Sequence, residues 1–534
     1  MPDQVFGIDL GTTYSAIAFI NDDGKPEIII NREGDQTTPS VVYIENESNF
    51  VVGKEAKNES LLHPDTTISL IKRHMGTNVS FEHFGKTFTP ETISSIILKD
   101  LVDYAREATG IQTNKVVITV PAYFGLAEIK ATRQAGEIAG LEVVGIIQEP
   151  VAAALSVGMR PGDPRTVFVY DLGGGTFDCT IMEISESRVE VIVVDGKRQL
   201  GGADWDAKLS DLVKERFVSQ AGLGDEDPML DEDFAQKLFT QVEDLKKALT
   251  RRNSAGVSLS YGAALEKVEI TRAEFEAATR SLVAETIDIV KRALATGQEK
   301  RPGLKLTEIL LVGGSSRMPM IEEALQREFN CTVLKSELDL AVAKGAAVYG
   351  FDPLPVPVQS EESSNDEGEI ATETRRLLPS GKAIYISTVL SRGLGMLYWR
   401  PMDSGGEDYV GFEAHANDRL PTRVRFIAST ARDGQTQVAI RIFEQKSPEE
   451  SEDVSANREV TPAQGNVLTN LPRLPEGSPI EFDLAIDSEG NAAVSAHEPV
   501  SGQRTNLKFA LAVMQQEDVE KAKAIVAGLK RRPD

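Results

Sequence analysis

The chain has 534 residues, of which 41% are hydrophobic and 26% charged, with a formal net charge of −25 and two cysteines. At about 100–200 residues per domain, this length predicts several hydrophobic cores. The negative charge argues against nucleic acid as a partner, and Cys179 and Cys331 are too few for a disulfide framework. Without a bilayer-length apolar run or a signal segment, we expect a cytoplasmic protein with no membrane partner.

A repeated strand-turn-strand pattern organises the first 350 residues. Residues 6–20 and 169–184 each consist of an apolar run, an aspartate entering a glycine-containing turn, and a second apolar run. Each copy predicts a tight β-hairpin. Strand-like residues 115–120 and helical stretches such as 92–108 and 276–295 lie between and after the copies, as in α/β lobes. The repetition predicts two related halves.

The two glycine turns suggest a binding site for a triphosphate. Glycines in a turn let successive backbone amides approach phosphate oxygens closely. Asp9 and Asp171 occupy equivalent places in the two copies, where they could hold Mg²⁺ through water. A single such turn is more often an ordinary Asp-Gly hairpin, but the internal repetition favours the phosphate site. No P-loop is present, because Ser80 stands where its first glycine is required.

Two further patterns could hold a nucleoside. A third glycine turn covers residues 310–317 and precedes a helix that has proline in its first turn. Upstream, one helix face carries Glu243, Lys246, Lys247 and Thr250, which could bracket a base and a ribose. Taken alone, this face is more typical of solvated charge on a surface helix.

Composition changes sharply after Phe351. Residues 351–380 are first proline-rich and then acidic, which predicts a linker. Residues 381–510 show short alternating strands with turn signals, which predict a β-sandwich, a substrate-binding-like domain. Residues 511–534 predict a short helical tail in which Val519, Ile525, Val526 and Leu529 are apolar.

A series of motifs in this order resembles the seventy-kilodalton heat-shock (DnaK-type) chaperone family. Besides the hairpins of Asp9 and Asp171, the series comprises Lys72-Arg73, 120–124, Glu149-Pro150, 200–204, 313–317 and 341–347. The resemblance is specific over residues 4 to about 350 and weaker in the β domain. It implies an α/β actin-like, two-lobed ATPase domain over 1–350, followed by an all-β sandwich domain and a short C-terminal helix. We expect the family's helical lid to be absent, since about two dozen residues follow the last predicted strand.

The resemblance also implies site residues and cofactors, namely ATP or ADP, Mg²⁺ and K⁺. Residues implied to position the attacking water or act on the phosphates are Lys72, Glu149, Asp171, Thr176 and Asp9. Residues implied to bind nucleotide are Gly11, Thr12, Thr13, Tyr14, Gly173, Gly174, Gly175, Gly202, Glu243, Lys246, Lys247, Thr250, Gly313, Gly314, Ser315, Arg317 and Asp339. Those implied near the metal are Asp9, Asp171 and Asp178, and those near a peptide groove are Val410, Phe412 and Val438.

Several positions depart from the family pattern. Gly145, Gln148 and Val151 stand where the family docks J-domain co-chaperones, and Ile129 replaces an arginine that links the domains. Lys247 replaces an arginine that stacks on adenine, and lysine lacks its planar face. The leucine-rich connector between the domains is not found. We therefore expect weak stimulation by a conventional J-domain partner, while a nucleotide exchange factor remains compatible.

Three functional hypotheses follow. The leading one is an ATP-dependent chaperone that binds unfolded or extended polypeptide segments in a hydrophobic groove. The alternative is a nucleotide-switched binding module for one dedicated client, with weak or no general chaperone activity. A sugar kinase or filament former on the same fold is a weaker possibility, since fold alone does not fix function. The groove residues could equally be core of the sandwich.

Overall fold

The computed structural model describes residues 4–157, 165–335, 340–351, 356–357, 374–402, 405–447, 449–461, 466–488, 490–509, 514 and 516–532. Its α-helices are α1 (Lys54–Glu59), α2 (Pro90–Thr109), α3 (Leu126–Ile138), α4 (Glu149–Val157), α5 (Gly202–Ala221), α6 (Glu232–Arg251), α7 (Arg272–Lys300), α8 (Pro319–Phe329), α9 (Ala341–Gly350) and α10 (Gln516–Gly528). Among these described residues, no helix is long and apolar enough to cross a membrane.

Local sequence signals set the helix ends. Helix α2 begins where the Thr89 hydroxyl accepts a hydrogen bond from the Thr92 amide, with Pro90 in the first turn. It ends at Gly110, whose φ of 74° lies in the left-handed region that favours glycine. Capping at both ends explains why the predicted helix over 92–108 forms with nearly those bounds.

The strands of the N-terminal two-thirds include those of two matching sheets, and the others form smaller sheets. They are β1 (Phe6–Asp9), β2 (Tyr14–Ile20), β3 (Pro26–Ile28), β4 (Thr38–Pro39), β5 (Val42–Ile44), β6 (Asn49–Val52), β7 (Thr67–Ile68), β8 (Phe81–His83), β9 (Lys86–Phe88), β10 (Lys115–Val120), β11 (Glu142–Gln148), β12 (Arg165–Leu172), β13 (Phe177–Ile184), β14 (Arg188–Lys197), β15 (Ser254–Tyr261), β16 (Ala264–Thr271), β17 (Glu308–Val312) and β18 (Thr332–Lys335).

The two sheets repeat one topology. The order in the first is β11-β10-β1-β2-β3, and the second contains β18-β17-β12-β13-β14. In each, the first strand of the predicted hairpin pairs parallel with a later strand, β1 with β10 and β12 with β17. The first sheet with α1 to α4, α9 and the small sheet of β5, β6 and β7 is here called the first lobe, and the second sheet with α5 to α8 the second lobe. The predicted pair of related halves is confirmed.

The C-terminal part is a β-sandwich. Its strands, with those leading into and out of it, are β19 (Val356–Pro357), β20 (Thr374–Leu377), β21 (Ala383–Val389), β22 (Leu394–Met402), β23 (Gly405–Ala414), β24 (Arg419–Leu420), β25 (Thr422–Ser429), β26 (Val438–Ala439), β27 (Ile442–Gln445), β28 (Asn457–Glu459), β29 (Val467–Leu468), β30 (Pro479–Ile486), β31 (Ala492–His497), β32 (Arg504–Phe509) and β33 (Lys530–Arg531). The sheets β23-β22-β27-β28 and β25-β30-β31-β32 share one core.

Alternation explains how the sandwich core forms. Along β30, Phe482, Leu484 and Ile486 are buried while the residues between them are more exposed. Val438, Ile440 and Ile442 alternate in the same way but do not share one strand. Val438 pairs in β26 with β29, whereas Ile442 begins β27 in another sheet.

One strand lies outside the unit to which the sequence assigned it. We placed residues 381–510 in the sandwich, but β21 pairs parallel with β14 and so extends the second-lobe sheet. Its Ile384 and Ile386 are buried in the same core as first-lobe residues. The strand therefore connects the lobes to the sandwich, although its sequence lacks the leucine-rich connector of the family pattern. Most of the predicted linker over 351–380 lies outside the described residues.

Candidate functional site

The turns of the two repeated hairpins face each other. A Cβ atom added to Gly174 would lie 2.1 Å from Oγ1 of Thr13, and one added to Gly175 would lie 2.3 Å from Cγ2 of Thr12. Such distances leave no room for any side chain, so only glycine permits this approach. The first turn, which follows β1, and the second, which follows β12, thus form one cradle.

A cavity of about 430 Å³ opens on this cradle. It is a volume typical of small-molecule sites. Its lining includes most of the predicted residues, namely Asp9, Gly11, Thr12, Thr13, Tyr14, Lys72, Glu149, Asp171, Gly173, Gly174, Thr176, Gly202, Glu243, Lys246, Lys247, Thr250, Gly313, Gly314, Ser315 and Arg317. Gly175 packs behind Thr12, and Asp178 lies behind Asp171. Asp339 lies outside the described residues.

A buried ion pair stands at the end of the cavity nearest the cradle. Lys72 lies on a short 3₁₀ helix, Ile71–His74, and its Nζ is 2.6 Å from Oε1 of Glu149 at the start of α4. The two residues are 4% and 8% exposed. Burial opposes the charged form of Lys72, but the charges of Glu149 and Asp9 outweigh it, and its pKa lies above the ordinary value. A permanently charged ammonium group therefore faces the cradle.

Three carboxylates converge beside this ion pair. Asp171 and Asp178 face each other across the second hairpin, and Asp9 accepts a hydrogen bond from Thr119 at 3.3 Å. Asp178 accepts from the Tyr123 amide at 3.1 Å, while its buried Oδ2 has no hydrogen-bond partner among the described residues. Burial, Glu149 and Asp171 together raise the pKa of Asp178 well above the ordinary value.

This donor set fits a hydrated cation. Crowded carboxylates with an orphaned buried oxygen call for a positive charge, which Mg²⁺ or a monovalent ion would supply. The described residues contain no group of three or more His, Cys, Asp or Glu side chains placed to ligate an ion directly. Mg²⁺ keeps several waters and needs only one or two carboxylates beside phosphate oxygens, so the arrangement is compatible with it.

The opposite wall belongs to α6. Lys246 donates to the Gly202 carbonyl at 2.9 Å and to Asp206 at 2.8 Å, and Thr250 donates to the Lys246 carbonyl at 3.0 Å. Lys247 donates to the Tyr14 hydroxyl at 2.9 Å, with its Nζ 4.8 Å from the centre of that ring. Its charge therefore lies over the first-lobe turn.

Glu243 forms ion pairs that link the two lobes across the cleft. It forms ion pairs with Lys247 at 2.8 Å and with Lys57 of α1 in the other lobe. Burial opposes ionisation of Glu243, but the charges of Lys57 and Lys247 outweigh it and lower its pKa to about 2. The Lys57–Glu243 pair joins the two lobes across the mouth of the cavity.

Sequence reasoning missed three residues of the site. The sequence contains no pattern that links Lys57 to the site, because its partner Glu243 is 186 residues away. Arg73 donates to the Gly175 carbonyl at 3.0 Å and to Asp204 at 2.6 Å, and so also joins the lobes. Arg73 lies in the Lys72-Arg73 motif and Asp204 in the 200–204 motif, so the sequence contained a signal for this ion pair. Asp206 lines the cavity beside Lys246, two residues beyond the same motif.

The proposed groove residues lie in two different sheets of the sandwich. Val438 is on β26, paired with Leu468, and is partly buried against the sandwich core. Val410 and Phe412 are on β23; Val410 is fully buried and Phe412 partly buried. The burial of Val410 favours its alternative reading as core, while Val438 and Phe412 keep some accessible surface.

Comparisons with known proteins show the family of the chain. The chain matches the family described as Hsp70 protein over residues 5–83 and 77–351. It is 38% identical to the Chaperone protein DnaK of Thermotoga petrophila over 515 residues, 94% of this chain and 80% of that protein. It is 35% identical to that of Thermosipho melanesiensis over 531 residues, 97% and 82% of the two chains. The chain therefore belongs to the Hsp70 family, as a DnaK-type chaperone and ATPase.

Proposed function

We propose that the chain is an ATP-dependent chaperone that binds unfolded or extended polypeptide segments in its sandwich and hydrolyses ATP between its lobes. The observation that carries this proposal is a cavity that residues of both halves line together. The buried Lys72–Glu149 pair lies at the end of this cavity where the phosphates would bind. An attached sandwich supplies the second site that a polypeptide binder requires.

Hydrolysis in this proposal depends on placement and charge. The cradle amides and the hydroxyls of Thr12, Thr13 and Thr176 would hold the phosphates, since phosphoryl transfer needs in-line positioning more than covalent help. Lys72, oriented by Glu149, would hold the attacking water and stabilise negative charge as it develops. Asp9, Asp171 and Asp178 would hold Mg²⁺, with K⁺ beside it, and the ion would neutralise phosphate charge.

The nucleoside would lie on the opposite wall. Ser315, Arg317, Lys246 and Thr250 line that part of the cavity and would contact base and ribose. Because Lys247 is held by Tyr14 and Glu243, we expect it to contribute ion pairing across the cleft more than stacking on the base. Asp339 stays a prediction of the sequence.

Polypeptide binding rests on the accessible part of the sandwich. Val438 and Phe412 would contact apolar side chains of an extended segment, whose backbone would pair with strand edges. The relatives named Chaperone protein DnaK support a chaperone over a dedicated-partner module, for which the comparisons give no support. A cytoplasmic location, a nucleotide exchange factor and a weak role for J-domain partners belong to the same proposal.

Fluorescence anisotropy of a labelled unfolded apolar peptide, titrated with the full-length chain in ADP, tests the proposal. We expect saturable binding that an unlabelled copy of the peptide reverses. A matched peptide in which serine replaces each apolar residue should bind much more weakly. Equal binding of both peptides would contradict an apolar groove, and no binding of either would contradict a polypeptide chaperone.

A further inference from the structure

The hairpin of β22 and β23 extends beyond the sheet that contains it. Strand β22 pairs with β23 along its whole length but with β27 only over Leu394–Met396. The Leu397 amide donates to the Arg441 carbonyl at 2.9 Å, and no later residue of β22 has a main-chain partner on this side in the part of the chain that the structure describes. Residues 398–402 and 405–409 therefore form a two-stranded extension, here called the ribbon.

The strand beside β22 turns away where the ribbon begins. Ile442 lies opposite Met396 in the ladder of β22 and β27. Four residues earlier in the chain, Val438 pairs with Leu468 and so belongs to the separate ladder of β26 and β29. The two segments therefore diverge, and one edge of the ribbon is left without a neighbouring strand among the described residues. This edge is here called the open edge.

Trp399 presents its main-chain groups to the open edge. In an antiparallel ladder, the amide and carbonyl of one residue point to the same side, and the side alternates along the strand. Since the Leu397 amide points to the side of β27, the main-chain groups of Trp399 do so as well, whereas Pro401 has no amide to offer. The Trp399 amide and carbonyl are thus a donor and an acceptor that an added strand could use.

The face of the ribbon that continues the sandwich core is aromatic. Met396 is buried in that core, and by alternation Tyr398 is the next side chain on the same face. The rings of Tyr398 and Tyr409 are 5.7 Å apart, and the Tyr398 hydroxyl donates to Glu413 at 2.6 Å. A Cβ atom added to Gly411 would lie 2.7 Å from the Tyr398 ring, so the ring packs on this backbone. These contacts hold the ring in place, which lowers the entropy lost when a ligand packs on it.

Apolar side chains lie on both sides of the divergence. Tyr398 of β22 and Val438 of β26 are each partly buried against the sandwich core. A strand added at Trp399 would point every second side chain towards this core. Neighbouring aromatic and β-branched side chains on adjacent strands stabilise such pairing. The surface therefore fits an extended polypeptide segment with apolar side chains at alternate positions.

Charge argues against a second copy of the chain as the occupant. The ribbon and the residues that follow it carry three carboxylates, Glu407, Asp408 and Glu413, against one cation, Arg400. That cation is already paired, with Glu407 at 3.2 Å and Glu452 at 2.7 Å. Two ribbons placed edge to edge would bring their carboxylates together, and like charges on adjacent strands are destabilising. A segment without this acidic excess pairs with the open edge more favourably.

We propose that an extended apolar polypeptide segment binds as an added strand on the open edge, with main-chain hydrogen bonds to Trp399 and side-chain contact with Tyr398. The inference rests on the proposed polypeptide-binding function and assigns to it a particular strand edge and a contact beyond Val438. It also defines the ligand, because a segment without free main-chain amides and carbonyls cannot pair with a strand edge.

Amide exchange at Trp399 tests the inference in the full-length chain with ADP. Labelling with ¹⁵N-tryptophan reports only two residues, and the other, Trp205, is buried in the second lobe and serves as the reference. The Trp399 amide should gain at least tenfold protection when an unfolded apolar peptide saturates the chain. Unchanged exchange in saturating peptide would overturn the inference. Protection in the free protein that rises with protein concentration would assign the edge to a second copy and would also overturn it.

Trp399→Pro removes the amide from the open edge and should weaken peptide binding, measured by fluorescence anisotropy, at least tenfold. Asp408→Pro is the matched control, because Asp408 lies directly opposite Trp399 and its main-chain groups point to the other edge of the ribbon. The control should bind peptide within twofold of the unmodified protein. Thermal melting checks that both variants are folded. Equal affinities of the two folded variants would overturn the inference.

Peptides methylated on alternate main-chain nitrogens test the same hydrogen bonds with the unmodified protein. Two such peptides, methylated at odd or at even positions, keep every side chain and each lose the amide donors on one side of the strand. At least one of them should bind tenfold or more weakly than the parent peptide. Equal affinity of all three would overturn the main-chain pairing, whereas failure of the parent peptide to bind would contradict the proposed function and the inference with it.

Discussion

Lys72 and Glu149 are 77 residues apart in the sequence, yet their side chains meet at 2.6 Å in a buried position facing the cradle. Lys72 lies on the 3₁₀ helix Ile71–His74 and Glu149 at the start of α4, two separate elements of the first lobe. Because the Lys72 ammonium group is buried and paired with the buried Glu149 carboxylate, its side chain points in one fixed direction. This fixed ammonium group is the basis for the first prediction.

Lys72→Ala should abolish hydrolysis and preserve ATP binding. The ammonium group acts on the attacking water and on charge that develops in the transition state, so its loss should lower the single-turnover rate by at least about 100-fold. Binding of ATP, measured by calorimetry, should change little. Lys99→Ala, which removes a surface lysine of α2, serves as the control. A single-turnover rate near that of the unmodified protein would contradict the assignment.

Asp9→Asn should weaken the contribution of magnesium to nucleotide binding. Asparagine keeps the shape of the carboxylate but removes its charge, so a hydrated Mg²⁺ loses part of its attraction to the site. ADP affinity of the unmodified protein should fall when EDTA removes Mg²⁺, and the variant should show a smaller fall. Asp171→Asn should behave likewise. If chelation has equal effects on all three proteins, these aspartates are not near the ion.

Lys57→Ala should accelerate ADP release about fivefold, since a partly buried ion pair contributes about 1 kcal/mol. Lys57 pairs with Glu243 of the other lobe and helps to close the cavity. Lys54→Ala, at an exposed lysine of the same helix, should leave the release rate unchanged. Stopped-flow release of a fluorescent ADP analogue measures both rates. Equal rates for the two variants would show that the pair does not close the cleft.

The same pair should be insensitive to pH near neutrality. The folded-state pKa of Glu243 is about 2, below its ordinary value of 4.5. A depressed carboxyl pKa gives an interaction that is complete above the unfolded pKa and is lost as pH falls from about 4.5 towards 2. The ratio of the ADP release rates of Lys57→Ala and unmodified protein should therefore stay constant from about pH 6 to 8.

Val438→Phe should weaken peptide binding and leave basal ATPase unchanged. The larger ring would fill space at the partly accessible position on β26. Val467→Phe is the matched control, because Val467 pairs with Ala439 and so faces the opposite side of the same two-strand ladder. Peptide association and dissociation rates should be measured for both. Indistinguishable rates in two folded variants would place the groove elsewhere.

The sequence identified the site through its repetition. Asp9 and Asp171 stand at equivalent places in two copies of one pattern, and a repeated pattern predicts equivalent hairpins whose turns can meet. Pairs such as Lys57–Glu243 and Arg73–Asp204 escaped prediction, because charged residues are common and only the closure of the two lobes brings these together. Their distances depend on tertiary packing.

The main difference between the predicted and the observed fold is the placement of β21, and it follows from the limits of period-two alternation. Ile384 and Ile386 alternate with more polar residues in the same way whether a strand joins the sandwich or the second-lobe sheet, so alternation cannot say which sheet β21 extends. Likewise, α10 was predicted from its apolar positions, but the partner of that face was not. Lys530 and Arg531 are too few and too polar to indicate a strand.

Peptide release and ATP turnover, measured on the same protein, test the proposed chaperone activity and its weak dependence on nucleotide. With Gly145, Gln148, Val151 and Ile129 in place of the residues that the family pattern has there, the chain should bind peptide but respond weakly to nucleotide. Release of a bound apolar peptide should differ less than tenfold between ATP and ADP, and a J-domain protein should stimulate hydrolysis less than tenfold. Acceleration of either rate by tenfold or more, about 1.4 kcal/mol of barrier, or a failure to bind peptide at all, would contradict the account.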